Sequence, residues 1–161
     1  MDQARRCNVS QLLRGVLSAA LVLVTPCALA DKPAQKPAEV FSANDAGLKW
    51  RPCPDFIPKG CEVTLLHGYP WKDNADIFFK VPANFTIPSH WHTSPERIVL
   101  VSGQLEITYD GRRPAVLKPG MYAYSPAKLP HTATCANGDP CILFISYDGP
   151  IDVIATKRPA D

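Results

Sequence analysis

The sequence predicts an all-β protein, folded as an antiparallel sandwich or barrel. Between residues 62 and 155, short runs of β-branched and aromatic residues recur about every 8–12 residues, which is typical of such folds. After residue 48, no run of about twelve residues keeps the 3.6-residue apolar period of an amphipathic helix. The 17 prolines among 161 residues point the same way, because proline removes a backbone donor and clashes inside a helix.

Ten strands are predicted, and residues that favour turns separate them. Four glycine-containing dipeptides mark turns, because glycine readily adopts the positive φ that tight turns need. These dipeptides are Ser102-Gly103, Asp110-Gly111, Pro119-Gly120 and Asn137-Gly138. The predicted strands are Glu62–Leu66, Ile77–Val81, Phe85–His92, Arg97–Val101, Leu105–Tyr109, Ala115–Leu117, Met121–Ser125, His131–Cys135, Cys141–Tyr147 and Ile151–Ala155.

Residues 1–30 are typical of a secretory signal peptide. Arg5 and Arg6 give a basic start, the run Gly15–Val24 is largely apolar, and Ala28 and Ala30 are the small residues expected before a cleavage site. The apolar run is too short to span a bilayer of about 30 Å. We therefore expect cleavage after Ala30 and export to a periplasm or to the cell exterior, with no stable membrane insertion.

The remaining chain divides into a leader, one domain and a tail. Residues 31–47 are rich in Ala, Pro and Lys and are predicted to form a flexible leader, residues 48–156 the folded domain and residues 157–161 the tail. The formal net charge of +2 is carried by residues 1–30, so the exported chain is close to neutral. A neutral chain lacks the basic surface that nucleic acids and anionic lipids require, which excludes both as partners. The expected partner is a small molecule.

Four cysteines follow the predicted cleavage site. An even number of cysteines in an exported protein favours two disulfides, for which three pairings exist. Cys135 and Cys141 bracket an Asn-Gly turn, and Cys53 and Cys61 bracket a loop that contains proline. The local pairing, Cys53 with Cys61 and Cys135 with Cys141, is therefore the simplest. Buried free thiols are the alternative.

Three of the four histidines form a pattern with one glutamate. His90 and His92 are two residues apart on a predicted strand, where alternation places both side chains on one face. Pro95 cannot donate to a β-ladder, so we expect a turn there and a hairpin whose returning strand begins with Glu96. Two imidazoles and one carboxylate on a face are the donor set of a facial metal triad. His131, at the start of a later strand, supplies a third imidazole.

These residues resemble the two motifs of the cupin superfamily. The pattern H-x-H-x3-E-x6-G over residues 90–103 is similar to the first motif, and G-x5-P-x4-H over residues 120–131 is similar to the second. The resemblance covers about residues 62–148 and is nearest to small single-domain bacterial cupins of the ChrR-like type. It implies an all-β cupin fold, a double-stranded β-helix or jelly-roll-like antiparallel barrel.

The resemblance also implies one metal ion in the mouth of the barrel. Its ligands would be His90, His92, Glu96 and His131. Imidazole and carboxylate together suit a divalent transition metal, either Fe, Mn, Zn or Ni, and the donor set does not choose among them. Four such ligands would leave two positions of an octahedral ion open to a substrate or to O₂.

Two classes of function follow from such a site. The first is an exported metalloenzyme, an Fe- or Mn-type oxygenase or a lyase-like enzyme acting on a small oxygen-bearing molecule. The second is a non-catalytic cupin that binds or senses a metal or a small ligand, because fold alone does not choose between the two. We expect Phe79, Phe85 and Tyr124 to line the pocket, which favours a small aromatic or dicarbonyl substrate over a highly charged one.

Two positions depart from the second cupin motif. Lys128 stands where the motif usually has glycine, and Cys135 stands where it often has asparagine. Neither position is a ligand in the family. Cys135 shares the strand parity of His131, so a free thiol beside the metal is the alternative to a disulfide.

His67 and the sheet edges are expected to lie toward the outside of the domain. His67 lies outside both motifs and is expected at the surface or in packing. A homodimer is expected, since cupin barrels commonly pair through sheet edges and this chain would have such edges to cover.

Overall fold

The computed structural model describes residues 37–156, and these residues contain eleven strands and no helix. The predicted signal peptide and C-terminal tail, with most of the leader, lie outside the described residues. No helix in the described part of the chain has the length and apolar character needed to cross a bilayer. The strands are β1 (Arg51–Pro52), β2 (Glu62–His67), β3 (Ala75–Val81), β4 (Thr86–Trp91), β5 (Glu96–Ser102), β6 (Leu105–Tyr109), β7 (Ala115–Leu117), β8 (Tyr122–Ser125), β9 (His131–Cys135), β10 (Cys141–Tyr147) and β11 (Ile154–Ala155).

The strands form two sheets in which every pairing is antiparallel. The six-stranded sheet has the order β1-β2-β3-β10-β5-β8, and the five-stranded sheet has the order β11-β4-β9-β6-β7. Alternate residues of β10 point into the core, so that Cys141, Leu143, Ile145 and Tyr147 are all buried. The predicted all-β antiparallel barrel is confirmed.

The strand bounds agree closely with the predicted ones, with two exceptions. The short strand β1 was not predicted, and the predicted strand Ile151–Ala155 is reduced to Ile154–Ala155. The reason is that residues 151–152 make irregular contacts instead of a β-ladder. The N–H of Ile151 donates to the carbonyl of Pro70 at 2.7 Å, and Asp152 binds Thr93 through its carboxylate.

The predicted hairpin between the histidine strand and the Glu96 strand is wrong. β4 pairs with β9 and β11, whereas β5 pairs with β10 and β8 in the other sheet. Residues 92–95 therefore cross from one sheet to the other. Pro95 does interrupt the ladder as expected, but the chain leaves the sheet at this point instead of turning back within it. His90 and Glu96 consequently lie on opposite walls of the barrel.

A β-bulge in β4 sets the orientation of His90. Ile87 pairs with Ala133 and His90 pairs with His131, so three steps along β4 match two steps along β9. The extra residue shifts the alternation, so that Ile87 and His90 are both buried although they are an odd number of residues apart. Strict alternation from Ile87 would have turned His90 away from the core.

The two local disulfides are confirmed. Cys53 is bonded to Cys61 with a Cα–Cα distance of 5.4 Å, and Cys135 is bonded to Cys141 with a Cα–Cα distance of 5.8 Å. The second bond links β9 of one sheet to β10 of the other. Because Cys135 is bonded to Cys141, the alternative of a free Cys135 thiol is wrong. The disulfide lies at the end of β9, four residues from His131 at its beginning.

Gly103, which ends the first cupin-like motif, occupies a position where no side chain fits. Its φ is 78°, and a Cβ atom would come within 2.8 Å of the carbonyl oxygen of Pro140 and 2.9 Å of the Sγ atom of Cys141. Glycine is therefore required for the chain to pass this closely under the start of β10.

Candidate metal centre

Three histidines meet at one end of the barrel. His90 on β4 is directly opposite His131 on β9, and His92 follows the end of β4. Their ring centroids are 4.3 Å apart for His90 and His131, 5.0 Å for His90 and His92, and 5.5 Å for His92 and His131. All three are buried, and one ring nitrogen of each lies within 4.8 Å of the other two. These imidazoles could bind a metal ion together.

Backbone carbonyls orient all three imidazoles. The Nδ1 atom of His90 lies 2.7 Å from the carbonyl oxygen of Pro88, and that of His131 lies 3.1 Å from the carbonyl oxygen of Leu129. The Nδ1 atom of His92 bonds the carbonyl of Asp152. A carbonyl oxygen only accepts, so each Nδ1 carries the hydrogen and each neutral Nε2 keeps its lone pair. This tautomer is the one a metal ligated through Nε2 requires.

Glu96 reaches the histidines from the opposite sheet. It is 2% exposed, with Oε1 at 3.3 Å from Nε2 of His92 and Oε2 at 3.5 Å from Nε2 of His131. The hydroxyl of the buried Tyr147 donates to Oε1 at 3.0 Å. Tyr147 and Glu96 are paired across β10 and β5, so the β-ladder holds this contact in place.

Burial favours the neutral form of His90 and of His131. Desolvation, with a smaller contribution from His131, lowers the pKa of His90 to about 3. Desolvation also lowers the pKa of His131, against the opposing effect of the Glu96 carboxylate. Burial raises the pKa of Tyr147 well above its usual value, so its hydroxyl remains a hydrogen-bond donor to Glu96. Both histidines therefore present unprotonated nitrogens at neutral pH.

Two buried polar atoms at the centre of this cluster make no hydrogen bond. They are Nε2 of His92 and Oε2 of Glu96. An isolated buried polar atom is costly, whereas a cation between these atoms would satisfy both at once. The donor set, imidazole nitrogen with carboxylate oxygen, also suits a divalent transition metal. The residues present therefore fit a metal ion.

An apolar cavity of about 380 Å³ opens onto the cluster. His90, His92, Glu96 and His131 line it together with Tyr147. The rest of its lining is mainly aliphatic, from strands of both sheets: Val63, Ile77, Ile87, Ile98, Leu105, Ile107, Ala133, Leu143 and Ile145.

Of the three aromatic residues expected to line this pocket, only Phe79 does so. The expectation was wrong for Phe85 and Tyr124. Phe85 is buried in the core outside the cavity, and Tyr124 is 49% exposed. In β8 the side chains of Ala123 and Ser125 turn inward, which leaves Tyr124 on the outer face of an edge strand.

Sequence reasoning missed two residues that support the histidines. Tyr147 has the same parity as Leu143 and Ile145 on its strand, so its inward direction was readable, but its contact with Glu96 depends on how β10 pairs. No local sequence pattern predicts that Asp152 contributes to the site. Its carboxylate accepts from the N–H of Thr93 at 2.9 Å and from the Thr93 hydroxyl at 2.6 Å, which holds the segment that fixes His92.

Lys128 adopts the conformation that its position in the motif demands. Its φ is 63°, a left-handed value that glycine reaches without cost. Its N–H donates to the carbonyl of His92 at 2.8 Å. The departure from glycine therefore leaves the backbone geometry beside His92 in place.

The comparison with family models agrees with this geometry, because the model of the cupin domain matches residues 77–147. The chain contains a cupin domain. The matched residues include His90, His92, Glu96 and His131. They also include Cys135 and Cys141, whose disulfide joins the two sheets. No protein with a curated description matches the sequence.

Solved structures resemble this cupin domain at low sequence identity. The DMSP lyase DddQ from Ruegeria pomeroyi DSS-3 is 21% identical, with a TM-score of 0.59 over 68% of this chain and 61% of that chain. The polyketide cyclase RemF from Streptomyces resistomycificus is 19% identical, with a TM-score of 0.60 over 76% of this chain and 89% of that one. An RmlC-like cupin from Ralstonia eutropha is 22% identical, with a TM-score of 0.56 over 73% and 78%. These likenesses concern the fold, and this chain spans less than two thirds of the lyase's length.

Proposed function

We propose that His90, His92, Glu96 and His131 hold one divalent transition metal ion. The observation that carries this proposal is the pair of buried atoms without hydrogen bonds, Nε2 of His92 and Oε2 of Glu96, at the point where the four side chains converge. Three imidazoles, each with Nδ1 bonded to a backbone carbonyl and Nε2 directed into the cluster, and one carboxylate supply four donors of the kinds that Fe, Mn, Zn and Ni accept.

We propose further that the loaded site acts on a small oxygen-bearing molecule, as an oxygenase or a lyase-like enzyme. A bound metal of this kind supplies Lewis acidity, which polarises an oxygen-bearing group and helps to bind it. The chain contributes a largely apolar cavity and a set of potential ligands held by neighbouring groups. Tyr147 holds Glu96, and the carbonyl of Asp152 holds His92. A lyase and a cyclase among the proteins of similar fold show that such a barrel accommodates enzymatic sites.

A metal-content measurement tests the centre. Elemental analysis of the purified protein should give about one divalent metal ion per chain, and His92→Ala should abolish it because one of the four donors is lost. His67→Ala is the matched control, since His67 is exposed at the end of β2. A wild-type metal content in His92→Ala would refute the assignment.

An activity screen separates the enzyme from the binding protein. The protein would be reconstituted anaerobically with Fe(II), Mn(II) and Zn(II), and each form would be mixed with diketone, phenolic and carboxylate compounds. Oxygen uptake and product masses are the readouts. Turnover that disappears in Glu96→Gln supports the enzyme. Tight ligand binding without turnover by any metal form would establish the non-catalytic alternative.

We propose that the protein works outside the cytoplasm, as a homodimer. Two disulfides are typical of an oxidising compartment, which supports export. The edge strand β8 exposes Tyr122 and Tyr124 by 58% and 49%, an apolar edge that a second copy would cover. Sedimentation equilibrium tests the dimer, and a monomer at micromolar concentration would reject it.

A further inference from the structure

One wall of the cavity comes from a loop and not from a strand. The loop of residues 53–61, here called the cap loop, connects β1 to β2, and its residues Cys53, Pro54 and Ile57 line the cavity. The Cys53–Cys61 disulfide closes the base of the loop, and the N–H of Cys53 donates to the carbonyl of Cys61 at 3.2 Å. The cap loop is thus fixed at its base by a covalent bond.

Ile57 is the residue that the cap loop places inside. Among positions 54–60 it is the only buried one, at 6% exposure. Its N–H donates to the carbonyl of Pro54 at 3.0 Å, and this turn directs the side chain toward the core. Next to it, the ring of Phe56 lies 6.2 Å from the ring of His90. The loop therefore covers the cavity beside the histidines, with Ile57 as its inner surface.

The charges around the aliphatic part of the cavity point to an uncharged ligand body. Among the described residues, no lysine or arginine lines the cavity. Its carboxylates are Glu96, which faces the histidines, and Asp152, which is bound to Thr93. A carboxylate or phosphate in the aliphatic part of the cavity would lose its hydration without gaining a cationic partner.

The strand geometry gives the cavity a long axis. Leu143, Ile145 and Tyr147 line it along one strand, and Tyr147 is at the Glu96 end. These positions span about 13 Å at about 3.3 Å per residue. A ligand with its oxygen atom at the histidines would extend its apolar body along this row of aliphatic side chains.

We propose that the cavity binds a molecule with an oxygen-bearing end and an uncharged, apolar body, and that Ile57 of the cap loop sets the largest body it accepts. The inference rests on the metal centre proposed above, because that centre receives the oxygen-bearing end. Ile57 is a specificity-determining residue here, since it contacts the apolar body and not the reacting atoms.

Titration calorimetry with straight-chain primary alcohols, from butanol to decanol, tests the length limit. The full-length protein is used, both loaded with Zn(II) and metal-free. Affinity should rise with chain length and then fall once the cavity is filled. Ile57→Ala removes three carbon atoms from the wall and should move the limit toward longer alcohols, because a closely packed site gains room for a larger body. Ile57→Phe should shorten the limit.

The control is Ile142→Ala, which changes the same residue type on β10 outside the cavity lining and should leave the limit unchanged. Carboxylates of equal length should bind the metal-free protein at least about tenfold more weakly than the alcohols. An unaltered limit in both Ile57 variants, or equal binding of carboxylates and alcohols to the metal-free protein, would overturn the proposal. If Ile57→Ala does not fold, as judged by circular dichroism, Ile57→Phe and Ile57→Val decide the question.

Zinc stoichiometry on the same samples separates the two proposals. Loss of the expected one zinc per chain would refute the metal centre, while the length limit in the metal-free protein still reports on Ile57. Conversely, normal zinc content with an unaltered limit in both Ile57 variants would refute the role of Ile57 alone.

Discussion

The imidazole of His92 donates its Nδ1 hydrogen to the main-chain carbonyl of Asp152, 60 residues further along the chain. The Asp152 carboxylate in turn accepts from the N–H and the hydroxyl of Thr93, the residue after His92. Three hydrogen bonds therefore join His92 and Thr93 to Asp152. This arrangement fixes the tautomer and the direction of one proposed ligand from a segment with little regular secondary structure of its own.

Replacing Asp152 should weaken metal binding. Asp152→Ala removes both contacts to Thr93, so the carbonyl that orients His92 becomes less well placed, and outer contacts of this kind change metal affinity by about 10–100-fold. Zinc dissociation constants would be measured by competition with a chromophoric chelator. Asp148→Ala is the control, because the Asp148 carboxylate pairs with Arg97 at the surface. Equal zinc affinity in the wild type and in Asp152→Ala would contradict this role.

Removing the Tyr147 hydroxyl should affect both stability and metal binding. In Tyr147→Phe, Oε1 of the buried Glu96 loses its hydrogen bond, which should lower the free energy of unfolding by about 1–3 kcal/mol. Zinc affinity should also fall, since Glu96 is no longer held toward His92 and His131. Chemical denaturation and chelator competition measure the two effects. The exposed Tyr124→Phe should change neither, and a Tyr147→Phe protein with unchanged zinc affinity would show that Tyr147 does not position Glu96.

The metal-free protein should lose stability as the pH falls from about 6.5 toward about 3. The pKa of His90 is about 3 in the folded state and about 6.5 in the unfolded state, so the unfolded chain takes up the proton first. At pH 5, protonation of this one histidine in the unfolded chain should make the free energy of unfolding about 2 kcal/mol smaller than it is above pH 7. Denaturation curves between pH 7 and pH 4 measure the loss. His90→Gln should flatten the profile, and a profile of unchanged slope in that variant would contradict the assignment to His90.

Loss of the disulfide between β9 and β10 should destabilise the fold without removing a ligand. The double variant Cys135→Ala, Cys141→Ala should have a free energy of unfolding about 2–3 kcal/mol lower than the wild type. The reason is that the unfolded chain gains conformational entropy when the disulfide no longer closes this small loop. Metal content should stay at the wild-type level, because the disulfide lies at the far end of β9 from His131. Loss of the metal from a folded double variant would show that the two ends of the barrel are coupled.

Export should leave Asp31 as the first residue. The small residues at positions 28 and 30 predict cleavage after Ala30. Intact-mass measurement of the protein recovered from the periplasm or the medium decides this. A chain that retains residues 1–30 there would reject the signal-peptide prediction.

Local patterns in the sequence predicted much of this molecule. Strand periodicity and turn dipeptides placed most of the strands within two residues, because side-chain alternation and glycine φ preferences act over neighbouring residues only. The pairing of Cys135 with Cys141 was readable for the same reason, since the five residues between them contain a turn that brings the two cysteines together. The spacing of His90 and His92 predicted that both lie on one face, and the cupin resemblance implied that His131 joins them; the three histidines do meet.

Contacts between distant strands decided the rest. The bulge after Ile87 turns His90 inward, and it forms because β4 pairs with β9 in a register that no local rule sets. Glu96 approaches from the opposite sheet and not from a hairpin. Tyr147 bonds Glu96 across a sequence separation of 51 residues, and Asp152 bonds His92 across a separation of 60 residues. The sequence by itself thus determined which residues carry the donors and where the strands run. Only the tertiary structure decided how the donors face one another, because sheet pairing is a property of the whole chain.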